Sequence, residues 1–188
     1  MTFRAMVCLI SVLAAPAGAA VVHDEAANGD LSSNAASPTP VAFSLGGNTV
    51  IGTTGNVAGV DRDFLTFTVG AGQRLTTLNL LAFSPDNLAF TALNTGATSF
   101  VPGAATSANF LAGIHIDASH VGFDLMPLFV SESVTDNALP TGQLGPGTYS
   151  FVIQQTSAIL TSYTLEFVLT EPLPTESATW SRIKALQP

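Results

Sequence analysis

The side chains of this sequence best suited to chemistry are carboxylates that stand in two places. Asp61 and Asp63 are two residues apart, just ahead of an alternating apolar run, and Asp24, Glu25 and Asp30 lie near the N-terminus. Calcium takes roughly six to eight oxygen ligands, largely carboxylates and carbonyls. The two aspartates could therefore supply part of a calcium site, with further ligands from the three N-terminal acids.

A second interpretation of Asp61 and Asp63 needs no metal. Leu65 stands where the EF-hand pattern requires a third oxygen ligand, so that pattern is broken. Aspartate is also favoured in turns, where its side chain accepts hydrogen bonds from nearby backbone amides, and Arg62 would offset part of the repulsion between the two acids. Glycosidase chemistry is disfavoured, because it needs two carboxyl groups across a cleft and two acids in one turn define none.

The remaining candidates for catalysis give weaker signals. His115 and His120 are five residues apart, so on one strand they would face opposite sides. Joint metal binding with Asp117 or Asp124 would require a turn between them, and a turn histidine beside a half-buried one is the favoured interpretation. The only cysteine, Cys8, lies in the predicted signal segment, which excludes thiol catalysis, zinc–thiolate sites and disulfides from the mature chain.

No sequence pattern of a known catalytic or phosphate-binding loop occurs. The sequence contains neither a Gly-x-Ser-x-Gly nucleophile elbow nor a glycine-rich phosphate loop. We therefore predict that the protein is not an enzyme, and a hydrolase is the least favoured hypothesis.

Charge narrows the range of partners. Of the 188 residues only 10% are charged, the formal net charge is −8, and the pI is about 4.4. Arg62 and Arg74 are the only basic residues between Ala20 and Thr170. Nucleic-acid binding needs clustered Lys and Arg, so it is excluded as a function. An acidic surface could attract divalent cations, although solubility is the simpler explanation.

The two ends of the chain differ from its middle. Residues 1–20 have a basic start, a short apolar stretch and small residues for cleavage after Ala19 or Ala20, as in a secretory signal. We expect no transmembrane helix in the mature chain, one β-sandwich domain over residues 21–171 that begins with an extended arm, and a flexible tail at 172–188. The only tryptophan, Trp180, lies in that tail. The protein is thus predicted to be exported by a bacterial cell, to the envelope or the extracellular space.

Alternation of apolar and polar residues predicts the strands. Leu65, Phe67 and Val69 alternate with threonines and should share one face. A strand that begins at Asp61 would project Asp61 and Asp63 from the same face. Short runs of this kind separated by Gly and Pro turns indicate an all-β, antiparallel, jelly-roll-like sandwich. Further strands are predicted at residues 41–45, 49–52, 74–83, 88–93, 110–116, 149–154 and 163–170.

The segments between the strands carry their own predictions. Residues 46–48 should close one hairpin, and residues 157–161 should join the last two strands as another. Residues 95–109 are predicted to be a loop. Residues 123–129 could form a short helix, which Pro127 would interrupt.

Three segments carry a resemblance to known families: residues 23–32 (HDEAANGDLS), 61–75 (DRDFLTFTVGAGQRL) and 145–156 (GPGTYSFVIQQT). Together they resemble exported bacterial proteins that end in a PEP-CTERM sorting signal, and the last two also resemble bacterial pre-peptidase C-terminal domains. The resemblance implies a jelly-roll-like accessory module, in a group in which some members bind calcium or polymeric ligands. The C-terminus departs from the pattern, because the sorting signal itself is not intact.

These observations lead to one prediction of function and one alternative. We expect a non-catalytic structural or adhesive protein of the bacterial envelope or extracellular matrix. The alternative is a calcium-dependent module that binds extracellular polysaccharide or an envelope protein.

Overall fold

The computed structural model describes residues 18–171, which fold into two β-sheets. The predicted signal segment lies outside the described residues except for its last three positions, and the predicted tail lies wholly outside them. Two α-helices, α1 (Glu25–Asn28) and α2 (Met126–Ser131), and 3-10 helices at Ala104–Asn109 and Ala118–His120 connect the strands. The strands are β1 (Ala20–Asp24), β2 (Thr39–Pro40), β3 (Gly46–Thr54), β4 (Arg62–Val69), β5 (Arg74–Ser84), β6 (Ala89–Thr95), β7 (Ala112–Ile116), β8 (Gly147–Gln154) and β9 (Thr161–Thr170).

The strand order is that of a jelly roll. One sheet has the order β1-β3-β9-β5 and the other β2-β4-β8-β6-β7. The segment between β7 and β8 returns to the first sheet beside β5, where isolated bridges join Leu75 to Leu144 and Asn79 to Asp124. The seven strands β3 to β9 match seven of the eight strands of a jelly roll, and this segment lies where the remaining strand would be. The predicted all-β sandwich is confirmed, except that β1 and β2 pair in parallel with β3 and β4, so that both sheets are mixed at one edge.

Aromatic side chains join the two sheets across the core. Phe67 of β4 and Phe151 of β8 approach Phe167 of β9 with ring centroids 5.6 and 5.4 Å away. Leu65 and Val69 lie on the same inward face as Phe67, as their alternation predicts, and all are buried. Burial of this apolar surface, at about 25 cal/mol per Å², holds the sheets face to face.

The last two strands do not form the predicted hairpin. β8 lies between β4 and β6 in one sheet, whereas β9 lies between β3 and β5 in the other. The connection over residues 155–160 therefore crosses from sheet to sheet. The prediction was wrong because both strands bury one apolar face, and that pattern is the same on either side of a sandwich.

The first predicted hairpin is also wrong, because residues 46–48 belong to β3. The Asn48 side chain is fully buried. Its carbonyl oxygen accepts from the Ser44 backbone N–H at 2.8 Å, and its amide donates to the backbone oxygens of Ser44, Gly46 and Phe167. Asn48 thus holds the end of residues 41–45, whose Val41 N–H donates to the Thr66 backbone oxygen at 2.8 Å, but these residues form no strand.

The N-terminal segment is built into the sandwich rather than being a free arm. β1 pairs with β3 in one sheet and β2 pairs with β4 in the other. Leu31, between them, is buried in the core. The segment therefore reaches both sheets, and its acidic residues lie where the sheets meet.

Two connections differ from their predictions. Pro127 lies in the first turn of α2, where no backbone N–H is needed for helical pairing, so it helps to start the helix that it was expected to interrupt. The predicted loop at residues 95–109 contains the 3-10 helix Ala104–Asn109.

Candidate metal site

Three of the five predicted ligands come together in the structure. Glu25, Asp30 and Asp63 each offer a carboxylate oxygen, and these oxygens all lie within 4.8 Å of one another. Glu25 and Asp30 come from the N-terminal segment, and Asp63 comes from β4. The cluster therefore joins parts of the chain that are more than thirty residues apart in sequence.

Local hydrogen bonds fix Glu25. Asp24 caps α1 by accepting from the Ala26 backbone N–H at 3.0 Å, which places Glu25 in the first turn. The Glu25 Oε2 atom accepts from the Thr53 backbone N–H at 2.7 Å and from the Thr53 hydroxyl at 3.2 Å. Gly29, at φ 85°, ends the helix in a left-handed conformation that glycine adopts readily, and Asp30 follows at once.

Asp63 is the unusual member of the cluster. It lies on the inward face of β4, it is fully buried, and neither of its carboxylate oxygens has a hydrogen-bond partner among the described residues. Burial, with the nearby charge of Glu25, raises the pKa of Asp63 to about 9, although the neighbouring Tyr163 hydroxyl opposes the shift. A buried carboxylate without partners is costly, so Asp63 requires either a proton or a cation.

Tyr163 and Gly52 complete the walls of the cluster. The Tyr163 hydroxyl is buried without a hydrogen-bond partner in the described chain. Burial raises the Tyr163 pKa well above its ordinary value, and the charge of Asp63 adds to this shift. A Cβ at Gly52 would overlap the Tyr163 hydroxyl and stand 2.9 Å from Glu25 Oε1. Glycine at this position thus leaves the space that the carboxylates and the phenol share.

No basic side chain balances these acids within residues 18–171. The salt bridge found there joins His120 to Asp117, and the Arg62 Nε–H donates to Gln154 Oε1. Burial, and secondarily the charge of Asp30, also raises the pKa values of Glu25 and Asp61, although hydrogen bonds from Thr53 and Ser33 oppose the shifts. The electrostatics therefore favour uptake of a cation.

The geometry fits calcium. Calcium binds oxygen at about 2.3–2.6 Å, so two ligands on opposite sides of one ion are about 5 Å apart. The three carboxylate oxygens, all within 4.8 Å of one another, are close enough to reach one such ion. Magnesium demands near-ideal octahedral geometry and usually keeps several waters, with one or two protein carboxylates, so a cluster of three carboxylates suits calcium better.

The other two predicted ligands have different places. Asp24 caps α1, where its side chain accepts a hydrogen bond from the Ala26 backbone N–H. Asp61 is outside the three-acid group, and its Oδ1 atom accepts from the Ser33 hydroxyl at 3.1 Å. Burial, and secondarily the charge of Asp30, raises the pKa of Asp61, which lies at the rim of the three-acid group and not within it.

The two histidines do not form a metal site together. His115 is on β7, and its ring meets Phe90 edge-on at 5.8 Å. His120 ends a 3-10 helix, where its Nδ1 atom lies 3.0 Å from Asp117 Oδ1. Asp124 accepts from the backbone N–H groups of Leu78 and Met126. These residues have structural partners and do not converge.

We expect Gly52→Ala to destabilise the protein. The added Cβ has no room beside Tyr163 and Glu25, and overpacking of this kind costs about 1–3 kcal/mol. Urea unfolding of the variant and of Gly103→Ala will test this, since a Cβ at Gly103 meets nothing within 4 Å. Equal stability of the two variants would contradict the close packing at Gly52.

The sequence contained only a faint signal for these wall residues. Gly52 interrupts a run of strand-forming residues, whereas Tyr163 looks like any other inward position of β9. No local pattern predicts the role of Thr53, because its bonds to Glu25 depend on the pairing of β1 with β3.

Comparison with known proteins adds little. No protein-family model and no curated protein matches the chain. A crystal structure of Salmonella Typhimurium PliG, a periplasmic lysozyme inhibitor of g-type lysozyme, aligns with 70% of this chain and 98% of its own, at 16% identity and a TM-score of 0.34. A similarity at that TM-score supports no conclusion about the fold or the function of this chain. Among residues 18–171, none of the helices has the length and apolar character needed to cross a membrane.

Proposed function

We propose that this chain is an exported, non-catalytic β-sandwich module that binds calcium between its N-terminal segment and β4. The observation that carries the proposal is Asp63, a fully buried carboxylate without hydrogen-bond partners that faces Glu25 and Asp30. A bound cation would supply the charge that the described chain lacks there. The role of the module in the envelope or matrix is then structural or adhesive.

Several sequence features support the rest of the proposal. The signal-like residues 1–20 and the absence of cysteine after Cys8 fit an exported protein. The resemblance to PEP-CTERM-type proteins and to pre-peptidase C-terminal domains fits an accessory module that contacts polysaccharide or an envelope protein. Calcium outside the cell would stabilise the fold in place of disulfides.

Thermal unfolding of the mature chain in calcium, in magnesium and in chelator tests the metal. A ligand that binds only the folded state at a hundredfold excess over its dissociation constant adds about 2.7 kcal/mol. For a chain of this size, that is a rise of roughly 5–11 °C in Tm. We expect this rise with calcium, and a much smaller one with magnesium.

Variants that each remove one negative charge will show which residues the calcium-induced rise in Tm depends on. Asp63→Asn and Asp30→Asn should each abolish most of the calcium-induced rise. Glu132→Gln removes the same charge from an exposed position at the end of α2 and should leave the rise intact. A calcium effect that is absent, or that survives in Asp63→Asn, would contradict the proposed site.

A further inference from the structure

Four side chains form a row across the outer face of the second sheet. Register places His115 of β7 opposite Phe90 of β6, Phe90 opposite Gln154 of β8, and Gln154 opposite Arg62 of β4. All four project away from the core, because their neighbours in each strand face inward. An aromatic ring thus lies between polar side chains on adjacent strands.

Three side chains of this row, His115, Phe90 and Gln154, form the floor of a cavity of about 320 Å³, and Arg62 lies outside its lining. Its walls are the 3-10 helix Ala104–Asn109 with the residues before it on one side and Val134 and Thr135 on the other. Phe90 leans over Gly113, where a Cβ would stand 2.7 Å from the Phe90 ring. Phe110 meets the same ring edge-on at 5.9 Å, so the aromatic floor is held in place.

The polar side chains of the floor leave hydrogen-bond donors free. The Arg62 Nε–H donates to Gln154 Oε1, which leaves the two amide N–H groups of Gln154 available. His115 is exposed and makes no side-chain hydrogen bond with the described residues. The wall hydroxyls of Ser107 and Thr135, in contrast, are already bonded to Asp136 and to the Asn137 backbone oxygen.

We propose that this cavity binds a sugar ring of a neutral polysaccharide. The C–H face of a pyranose packs on an aromatic ring, and its hydroxyl oxygens accept hydrogen bonds at the ring edges. His115 and Gln154 are two strands apart, about 10 Å at the usual strand spacing. At that spacing, a sugar ring stacked on Phe90 would have one of these two donors at each of its opposite edges.

Charge selects a neutral sugar over an acidic one. The chain carries a net charge of −8, which repels polyanions at a distance. Arg62 keeps its charge and its Nη–H groups, but it is not among the residues that line the cavity, where the free donors are the Gln154 amide and the His115 imidazole. The lining of the cavity thus offers hydrogen bonds without a Lys or Arg side chain.

The inference is independent of the calcium site. Arg62 and Asp63 are neighbours in β4, so the row lies on the outer face of the strand and the acidic cluster on its inner face. Loss of one site leaves the other in place.

NMR titration of the mature chain with neutral hexaoses of β-1,4-glucose, β-1,3-glucose and β-1,4-mannose tests the proposal. At least one should cause saturable shifts in the Gln154 side-chain amide and the His115 ring. Gln154→Glu keeps the pairing with Arg62 but replaces the donors with acceptors, and His115→Phe keeps the ring but removes its nitrogens. Each should weaken binding about tenfold, as loss of one hydrogen bond predicts.

His120→Phe is the matched control, because His120 lies outside the cavity lining, and it should bind like the unmodified chain. A parallel titration with a hexaose of galacturonic acid tests whether an acidic sugar binds instead of a neutral one. The proposal is overturned if no neutral hexaose shifts these signals at millimolar concentration. It is equally overturned if both cavity variants bind unchanged, or if only the galacturonate binds.

Discussion

Replacement of Asp63 by Asn is expected to stabilise the metal-free protein, by about 4 kcal/mol at pH 7 given a folded-state pKa of about 9. An ordinary aspartate loses its proton far below neutral pH. Asp63 is buried without partners, so the folded protein at pH 7 must keep a proton that the unfolded chain has already released. Asparagine has nearly the same shape and carries no charge, so the variant avoids this cost.

The sign of the pH dependence follows from the same linkage. Between the unfolded pKa of 3.8 and the folded pKa of about 9, the folded state binds more protons than the unfolded state. The free energy of unfolding of the metal-free protein therefore falls as pH rises through this window, and Asp63 adds no slope outside it. Glu25 and Asp61, whose pKa values are also raised, add slope of the same sign.

Urea unfolding in chelator at several pH values between about 5 and 9 measures this effect. Stability should decline with pH in the unmodified chain and in the exposed-site control Glu132→Gln, and much less in Asp63→Asn. Parallel profiles for all three proteins would show that Asp63 is not the titrating group. Calcium should reverse the trend, because it binds the ionised carboxylates, so its stabilising effect grows with pH.

Replacement of Phe167 by Ala should cost about 3–5 kcal/mol, the usual loss for a buried phenylalanine. Phe167 is fully buried on β9. Its ring contacts Phe67 and Phe151 of the opposite sheet and Phe43 of the segment before β3, with centroids between 4.9 and 5.6 Å away. The variant loses contacts on both sides of the sandwich and leaves a cavity that rigid strands cannot close.

Chemical denaturation will measure this loss, with Phe123→Ala as the control. Phe123 is 56% exposed, so the same truncation there should change stability by less than about 1 kcal/mol. Phe167→Leu should lie between the two if Phe167→Ala unfolds the protein outright. Equal losses for Phe167→Ala and Phe123→Ala would contradict the central place of Phe167 in the core.

The proposed calcium site gives the N-terminal segment a specific role. Glu25 and Asp30 follow closely on the predicted signal segment, and β1 and β2 attach this part of the chain to both sheets. A cation held between these residues and Asp63 would fasten the start of the mature chain to the sandwich. The module would then be most stable where calcium is plentiful, as expected for an exported protein.

The all-β class and most strand positions follow from the sequence alone. The alternation of Leu65, Phe67 and Val69 with threonines has one explanation, a strand with a buried face. The same rule locates β8 and β9, whereas β5 departs from strict alternation at two register shifts, between Leu75 and Thr77 and between Leu80 and Ala82. These predictions succeed because period-two patterning depends only on neighbours along the chain.

Pairing between strands was decided by the tertiary structure. β8 and β9 have the same pattern and a short connection, yet they lie in different sheets. β3 begins in the Gly-Gly-Asn stretch because the Asn48 amide can reach the Phe167 backbone oxygen of a strand far along the chain. Burial of one face shows that a strand is covered, but not which strand lies beside it.

For the candidate sites, too, the sequence predicts part of the arrangement and the tertiary structure decides the rest. Residue type alone marks Asp61, Asp63, Asp24, Glu25 and Asp30 as possible calcium ligands, because carboxylates suit that ion. Only the fold brings Glu25, Asp30 and Asp63 together, assigns Asp24 to a helix cap and leaves Asp61 at the rim. The burial that raises the Asp63 pKa, like the row of His115, Phe90, Gln154 and Arg62, depends on contacts between distant strands, and no local pattern in the chain encodes them.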